Sequence, residues 1–304
     1  MNGRIVVTGG AGFIGGNLVH RLCENDYEVV VLDNLASGKR ENVHRWATFI
    51  KGDVRDPSAL AQAFAGADVV FHLAALPRVQ LSITDPVGTG AVNVFGTVNA
   101  LVAAQVARVR RFVFASSSSV YGNPPVLPTP ENSPYQPLSP YAIHKMLGEM
   151  NCRTWSSIYG LDTVCFRFFN VYGPGFDPSG EYALVIGKFI MQRLAGKPMT
   201  IWGDGQQARD FTHVDDVTHA CELVISAKLP DKANAFNIGA GRPTAVARIA
   251  ELIGGDVMHE APRAGEPRNS FADIRWVSHA LGWSPQVSIE QGITMLKVKL
   301  GLCA

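Results

Sequence analysis

Cysteine is scarce in this 304-residue chain, with five in all. Cys23, Cys152, Cys165, Cys221 and Cys303 are scattered, odd in number and free of any CxxC pair. That pattern excludes a disulfide framework and reads as reduced packing residues in a cytoplasmic protein. Charge is sparse too: 17% of residues are charged, the formal net charge is +1, and no long run of Lys or Arg occurs. A nucleic-acid or membrane-surface role therefore has no electrostatic support. No apolar run approaches the ~20 residues that span a bilayer. Met1-Asn2-Gly3-Arg4 leads straight into a predicted strand, which leaves no room for a signal peptide. The eight His are dispersed without metal-ligand spacing, so no metal is expected. Internal repeats, low-complexity tracts and hinge-like linkers are also missing.

What is present is ordinary globular composition: 47% hydrophobic, with 30 Gly and 18 Pro, enough for one large α/β domain or two unequal ones. The apolar run Arg4-Ile5-Val6-Val7 ends in Thr8-Gly9-Gly10-Ala11-Gly12-Phe13-Ile14-Gly15, and residues 17–23 carry helical periodicity. Gly9, Gly12 and Gly15 suit a tight turn that brings backbone N–H groups to a pyrophosphate at a helix N-terminus. Glu28–Asp33 supplies a second strand, ending in an acid 18 residues after Gly15. Such a carboxylate suits the ribose hydroxyls of NAD and repels a 2′-phosphate, although Lys39 and Arg40 keep NADP open. Further strands over 48–54, 68–75 and 111–115 alternate with helices, one of them at 86–107. Near-continuous apolar strands alternating with helices predict a doubly wound parallel sheet. Asp53 and Val54 are placed to hold adenine, and Leu73, Ala74 and Ala75 to line the cofactor groove. His72 reads as a packed sheet residue; Asn93 is either a buried structural amide or a prop for the catalytic region.

The chemistry is expected in Ser139-Pro140-Tyr141-Ala142-Ile143-His144-Lys145. Tyr141 and Lys145 lie about one turn apart on one helical face. A phenol of pKa about 10 is a poor base, and a fixed ammonium beside it stabilises the phenolate. Ser116-Ser117-Ser118-Ser119-Val120-Tyr121-Gly122 follows a strand, where carboxyl ends face the ligand crevice. Ser117, 24 residues before Tyr141, is placed to hydrogen-bond a substrate hydroxyl, whereas Ser119 reads as part of a capping turn.

Taken together, the glycine octet, Asp33-Asn34-Leu35, Ser116–Gly122 and the Tyr141/Lys145 pair resemble the extended short-chain dehydrogenase/reductases. The likeness runs from residue 5 to about 295 and is greatest to the nucleotide-sugar epimerases of the UDP-glucose 4-epimerase type. It implies Tyr141 as base, Ser117 as partner of the substrate hydroxyl and Lys145 as the cation that holds the ribose and tunes the phenol. It further implies NAD contacts at Phe13, Ile14, Asn34, Ser37, Gly38, Asn93, Ser116, Tyr141, Lys145 and Phe168. Substrate contacts are implied at Ser117, Ser118, Tyr141, Asn170, Val185, Arg209, Arg263, Glu266 and Ser270. Arg209 and Arg263 would take the diphosphate as planar charge-assisted donors, and Glu266 a ribose. The implied domains are 1–168 with 206–240 for NAD, and 169–205 with 241–304 as a smaller, interleaved α/β substrate domain. A homodimer through the helices at 86–107 and 141–158 is also implied.

The implied reaction inverts C4 of a UDP-hexose. Dehydratases of the superfamily carry an Asp-Glu pair where Ser118 and Ser119 stand, and UDP-glucuronate decarboxylases usually a Glu at the position of Ser119. A uronate 4-epimerase stays open, as does a non-catalytic NAD-binding regulator, against which the intact Ser117/Tyr141/Lys145 set weighs. Small Ser270, in a pocket that Pro77 and Ser82 also line in the resembled enzymes, implies room for N-acetylhexosamines.

Overall fold

The computed structural model describes residues 2–176, 185–262 and 269–302. The chain divides into two compact units. The first comprises 1–122, 134–168 and 218–236; the second comprises 123–133, 169–217 and 237–304. Three segments depart from the expected division: 123–133, 206–217 and 237–240 all join the second unit. Backbone pairing explains it. Thr129 N donates to Phe271 O at 2.9 Å, Asp273 N to Thr129 O at 3.0 Å, and Asp210 N to Ser270 O at 2.9 Å. The Asn237 amide donates to the carbonyls of both Thr129 and Asp273.

The first unit is built on β1 (Asn2–Thr8), β2 (Tyr27–Asp33), β3 (Thr48–Lys51), β4 (Val69–His72), β5 (Arg111–Ser117) and β6 (Asp162–Phe168). With the late strand Ala233–Ile238 at one edge, the order is Ala233–Ile238, β6, β5, β4, β1, β2, β3. Every pair from β3 to β6 is parallel. This is the doubly wound Rossmann sheet that the apolar strands predict, and its order reverses between β1 and β4, where such sheets bind ligands. Helix α1 (Phe13–Glu24) follows β1 and α2 (Pro57–Phe64) follows β3. The core of the unit joins Val6, Val30, Leu60, Phe64, Val70, Leu101, Phe112 and Phe114.

Helix α3 (Pro86–Val106) is long and apolar enough, by length and composition, to cross a bilayer, contrary to the expectation that no apolar run approaches that length. Its middle turn, Ala91–Phe95, is π-helical. Ala100, Leu101 and Ala104 sit fully buried in the core of the unit, as befits a core helix. Helix α4 (Pro140–Tyr159) is fixed at its start by Ser139, whose hydroxyl accepts from Ala142 N at 3.2 Å, and by Pro140 in the first turn. Of its buried positions, Ala142, Lys145, Glu149, Cys152 and Ser156 recur at three- and four-residue steps on one face, and His144 and Gly148 are buried as well.

In the second unit, Ile186, Phe189, Ile190, Met199, Ile249, Ile253 and Leu296 form a separate core. A small sheet holds Thr244–Ala245, Ala208–Arg209 and Asn269–Ser270 in that order. Buried Asp210 ties this region together, accepting from Ala240 N at 2.6 Å, Ala272 N at 3.0 Å and Gly241 N at 3.1 Å. Its carboxyl is pushed up to about 6 by burial, against the pull of those amides.

Candidate active site

The turn after β1 is built without room for side chains. Gly9 has φ +73°, and a Cβ there would lie 2.7 Å from Ala74 N. At Gly15 a Cβ would lie 2.2 Å from the Gly9 carbonyl oxygen, so the turn closes only on glycine. Gly12 occupies the N-cap of α1 and no side chain caps the helix. Backbone N–H groups and the positive end of the helix dipole thus supply the anion-binding chemistry. Phe13 and Ile14 form the first turn of that helix.

Asp33 ends β2 with its carboxylate fixed by Ala11 N at 3.0 Å and Leu35 N at 2.8 Å. Asn34 donates to Asp53 at 2.8 Å and accepts from Ala36 N at 2.9 Å. Asp53 also pairs with Arg55, whose hydrogen bonds hold its carboxyl far below the ordinary range. Asn34 and Asp53 therefore lock the ends of β2 and β3 to each other. Ser37 is exposed and Gly38 half-buried in the loop beyond. Past β4, Leu73 N donates to Thr8 O at 3.1 Å and Ala74 N to Thr8 Oγ1 at 3.3 Å, which lays 73–75 along the glycine turn. A turn that excludes side chains, an uncapped helix start and an acid at the next strand end fit a dinucleotide.

Two residues assigned to NAD contact are otherwise employed. Asn93 accepts from Leu76 N at 2.7 Å and donates to Leu76 O at 2.9 Å. Asn93 thus props the 73–76 loop, and its Nδ2 also lies 3.5 Å from His144 Nδ1. Ser116 donates to Glu149, because strand alternation turns its side chain away from that of Ser117. Behind the loop, His72 bonds Thr8 Oγ1 at 2.8 Å and Thr97 Oγ1 at 3.1 Å. Burial pushes its pKa down to about 3, so it stays neutral as a packed sheet residue.

At the carboxyl end of β5, Ser117 Oγ accepts from Ser119 N at 3.1 Å. The backbone N of Tyr141 donates to Ser82 Oγ at 3.0 Å, a support with no sequence signal. Lys145 Nζ donates to Ala115 O at 2.6 Å. Burial pushes the Tyr141 phenol up to about 12, with the Ser117 hydrogen bond opposing. Burial likewise brings Lys145 down to about 8, with Glu149 opposing. Desolvation is the larger effect at both groups, and the Lys145 ammonium lies 5.8 Å from the centroid of the Tyr141 ring. Beneath them lies a cluster that sequence reasoning missed: buried Arg167 pairs with Glu149 at 2.6 Å and donates to Tyr121 Oη at 2.7 Å and Tyr135 Oη at 3.0 Å. Its members, Tyr121, Tyr135, Glu149 and Arg167, come from four separate stretches of chain, so no spacing marks them. Ser118 is half-buried, Phe168 is buried at the end of β6, and Ser119 Oγ is buried with no hydrogen-bond partner among the described residues.

In the second unit, Asn170 adopts φ 29° and donates to Asp210 O at 2.9 Å. Ser270 is the register partner of Arg209 in a parallel pair, so two residues 61 apart in sequence are neighbours. Val185 opens the helix Val185–Leu194. Arg263 and Glu266 lie outside the described residues.

The chain matches the NAD dependent epimerase/dehydratase family over residues 5–239. It is 40% identical over 304 aligned positions to a UDP-glucose 4-epimerase of Mycolicibacterium smegmatis, covering 95% of this chain and 96% of that one. The solved UDP-glucose 4-epimerase of Thermotoga maritima with UDP-glucose superposes with TM-score 0.92 at 38% identity, covering 99% of this chain and 100% of that chain. The UDP-N-acetylglucosamine 4-epimerase of Methanobrevibacter ruminantium, in complex with UDP-N-acetylmuramic acid, gives TM-score 0.91 at 33% identity, covering 98% and 99%. With that likeness spanning the whole length and the glycine cradle in place, the chain belongs to the NAD dependent epimerase/dehydratase family, as one of its UDP-sugar 4-epimerases, with NAD as cofactor.

Proposed function

We propose that the protein interconverts UDP-glucose and UDP-galactose, and the matching N-acetylhexosamine pair, by inversion at C4 through a transient 4-keto sugar. The observation that carries this reading is the placement of Tyr141 one helical turn from Lys145, whose buried ammonium lies 5.8 Å from the centroid of the Tyr141 ring. Tyr141 takes the proton from the sugar 4-OH and later returns it. Ser117 holds that hydroxyl in line, and Lys145, anchored on Ala115 O, supplies the positive charge the phenolate needs. NAD⁺, when bound, accepts and returns the C4 hydride and adds a fixed positive charge. Asn170, Arg209, Arg263 and Glu266 are assigned to the UDP portion, so that remote binding energy anchors the substrate while the sugar turns. Ser270, beside Arg209, is assigned to the space around the sugar C2 group.

We assign a homodimer through α3 and α4, both of which expose apolar side chains: Phe95 at 68% and Val106 at 78% on α3, Met150 at 45% and Ile158 at 65% on α4. The buried free thiols of Cys23, Cys152, Cys165 and Cys221 suit a cytoplasmic location. Purified protein incubated with UDP-glucose, UDP-N-acetylglucosamine and UDP-glucuronate, with no cofactor added, tests the assignment once products are separated. Epimers of the first two are expected, and Tyr141→Phe should lower both rates at least ~100-fold. Turnover by Tyr141→Phe at the parent rate would remove the phenol from the chemistry, and epimerisation of UDP-glucuronate alone would move the substrate to the uronates.

A further inference from the structure

Among the described residues, His20, Glu24 and His44 each bring one ligand atom into a group whose members all lie within 4.8 Å of one another. His20 and Glu24 stand one turn apart on α1 and share a face. His44 comes from the segment between β2 and β3, and its ring meets that of His20 edge-on, 4.8 Å between centroids. The expectation of no metal rested on linear spacing, which cannot show a ligand arriving from another element.

We propose that His20, Glu24 and His44 bind one divalent transition-metal ion of the zinc, nickel or copper class. Two neutral imidazoles and a carboxylate are a common zinc donor set, with the remaining position left to water. Magnesium and calcium prefer oxygen and find a single carboxylate here. Donors sharing an ion at about 2.1 Å stand at most about 4.2 Å apart, so the set closes through small rotations. His20 and Glu24 are exposed and His44 is half-buried, which leaves them free to make those rotations. Trp46 N donates to His44 Nδ1 over a long 3.3 Å. Coordination through Nε2 puts the ring proton on Nδ1 and gives that contact up. The exposed Trp46 ring, 4.9 Å from the His44 ring, is positioned to report the change.

The site would act as a staple. Lys39 N and Asn42 Nδ2 both donate to Ala11 O, at 3.0 and 2.9 Å, so residues 39–42 already lie along the glycine-rich turn. An ion joining His44 to His20 and Glu24 fastens the far end of this loop to α1.

Tag-free, chelator-treated protein titrated with Zn²⁺ in a calorimeter tests the site. One ion per chain is expected, together with a Tm raised by a few degrees at saturation and no response to Mg²⁺. Cu²⁺ should quench fluorescence in the parent and much less in Trp46→Phe. His44→Ala and Glu24→Gln should each weaken Zn²⁺ binding at least about tenfold, while metal-free melting stays near the parent value. Absence of Zn²⁺ binding by the parent at millimolar ion, or unchanged binding by the His20→Ala/His44→Ala double variant, overturns the proposal.

Discussion

The ammonium of Lys145 lies 5.8 Å from the centroid of the Tyr141 ring while its hydrogen bond goes to the carbonyl of Ala115 at 2.6 Å. The two groups share a face of α4, and burial disfavours the charged form of each, lifting the phenol to about 12 and lowering the ammonium to about 8. At pH 7 the buried ammonium is thus held at a cost in stability, whereas the phenol, neutral both folded and unfolded, adds none.

Lys145→Met should therefore stabilise the cofactor-stripped fold while stopping turnover. A lysine whose folded pKa falls from 10.5 to about 8 contributes stability above its unfolded pKa and loses it as pH drops through 8. At pH 7 the buried ammonium is a net cost, on the order of 1–3 kcal/mol after allowing for the lost Ala115 hydrogen bond. Melting curves should place the variant several degrees above the parent at pH 7, with the gap closing toward pH 10. A lower melting temperature at pH 7 would contradict the assignment.

Gly15→Ala should empty the cradle. Its Cβ would lie 2.2 Å from Gly9 O, a backbone atom that cannot swing aside, so the turn must open. NAD retained after gel filtration, read by absorbance of the released cofactor, should fall at least about tenfold. Retention at parental levels would mean that the turn adapts.

Glu149→Ala should cost about 3–5 kcal/mol in denaturant unfolding, because it removes the buried carboxylate that pairs with the buried Arg167 guanidinium at 2.6 Å. Glu149→Ala/Arg167→Met should cost less than the sum of its parts. Additive losses would show that the ion pair does not act as a unit.

Ser270→Tyr tests the sugar pocket. Ser270 is the register partner of Arg209 in the small sheet, and under the proposed assignment a tyrosine there would fill the space an N-acetyl group needs. Turnover of UDP-N-acetylglucosamine should drop far more than that of UDP-glucose. Equal losses would remove Ser270 from sugar selection.

Much of the nucleotide-binding unit was legible in the chain because its signals are local. Glycines at 9, 12 and 15, the acid closing β2 and the Tyr141/Lys145 step each lie within one or two elements, where period and turn chemistry decide structure. What stayed hidden depends on long-range partners. Ser116 and Ser117 are adjacent and chemically identical, yet the strand pleat sends one to Glu149 and the other to Tyr141. Thr129, in a loop between two parts of the first unit, pairs with Phe271 and Asp273, which carries 123–133 into the second. For Tyr141 and Lys145 the sequence shows proximity on one helical face but not the desolvation that acts on both.

The π turn at Ala91–Phe95 makes α3 two helices set at independent rotations. One inserted residue shifts everything beyond it by about 100°, so the turn itself can point Asn93 at Leu76 while the helix beyond it points Thr97 at His72 and Ala100 at the core. Deleting a single residue there would restore a regular helix and put one of those two alignments out of phase. Length is thus as tightly constrained at this point as side-chain identity.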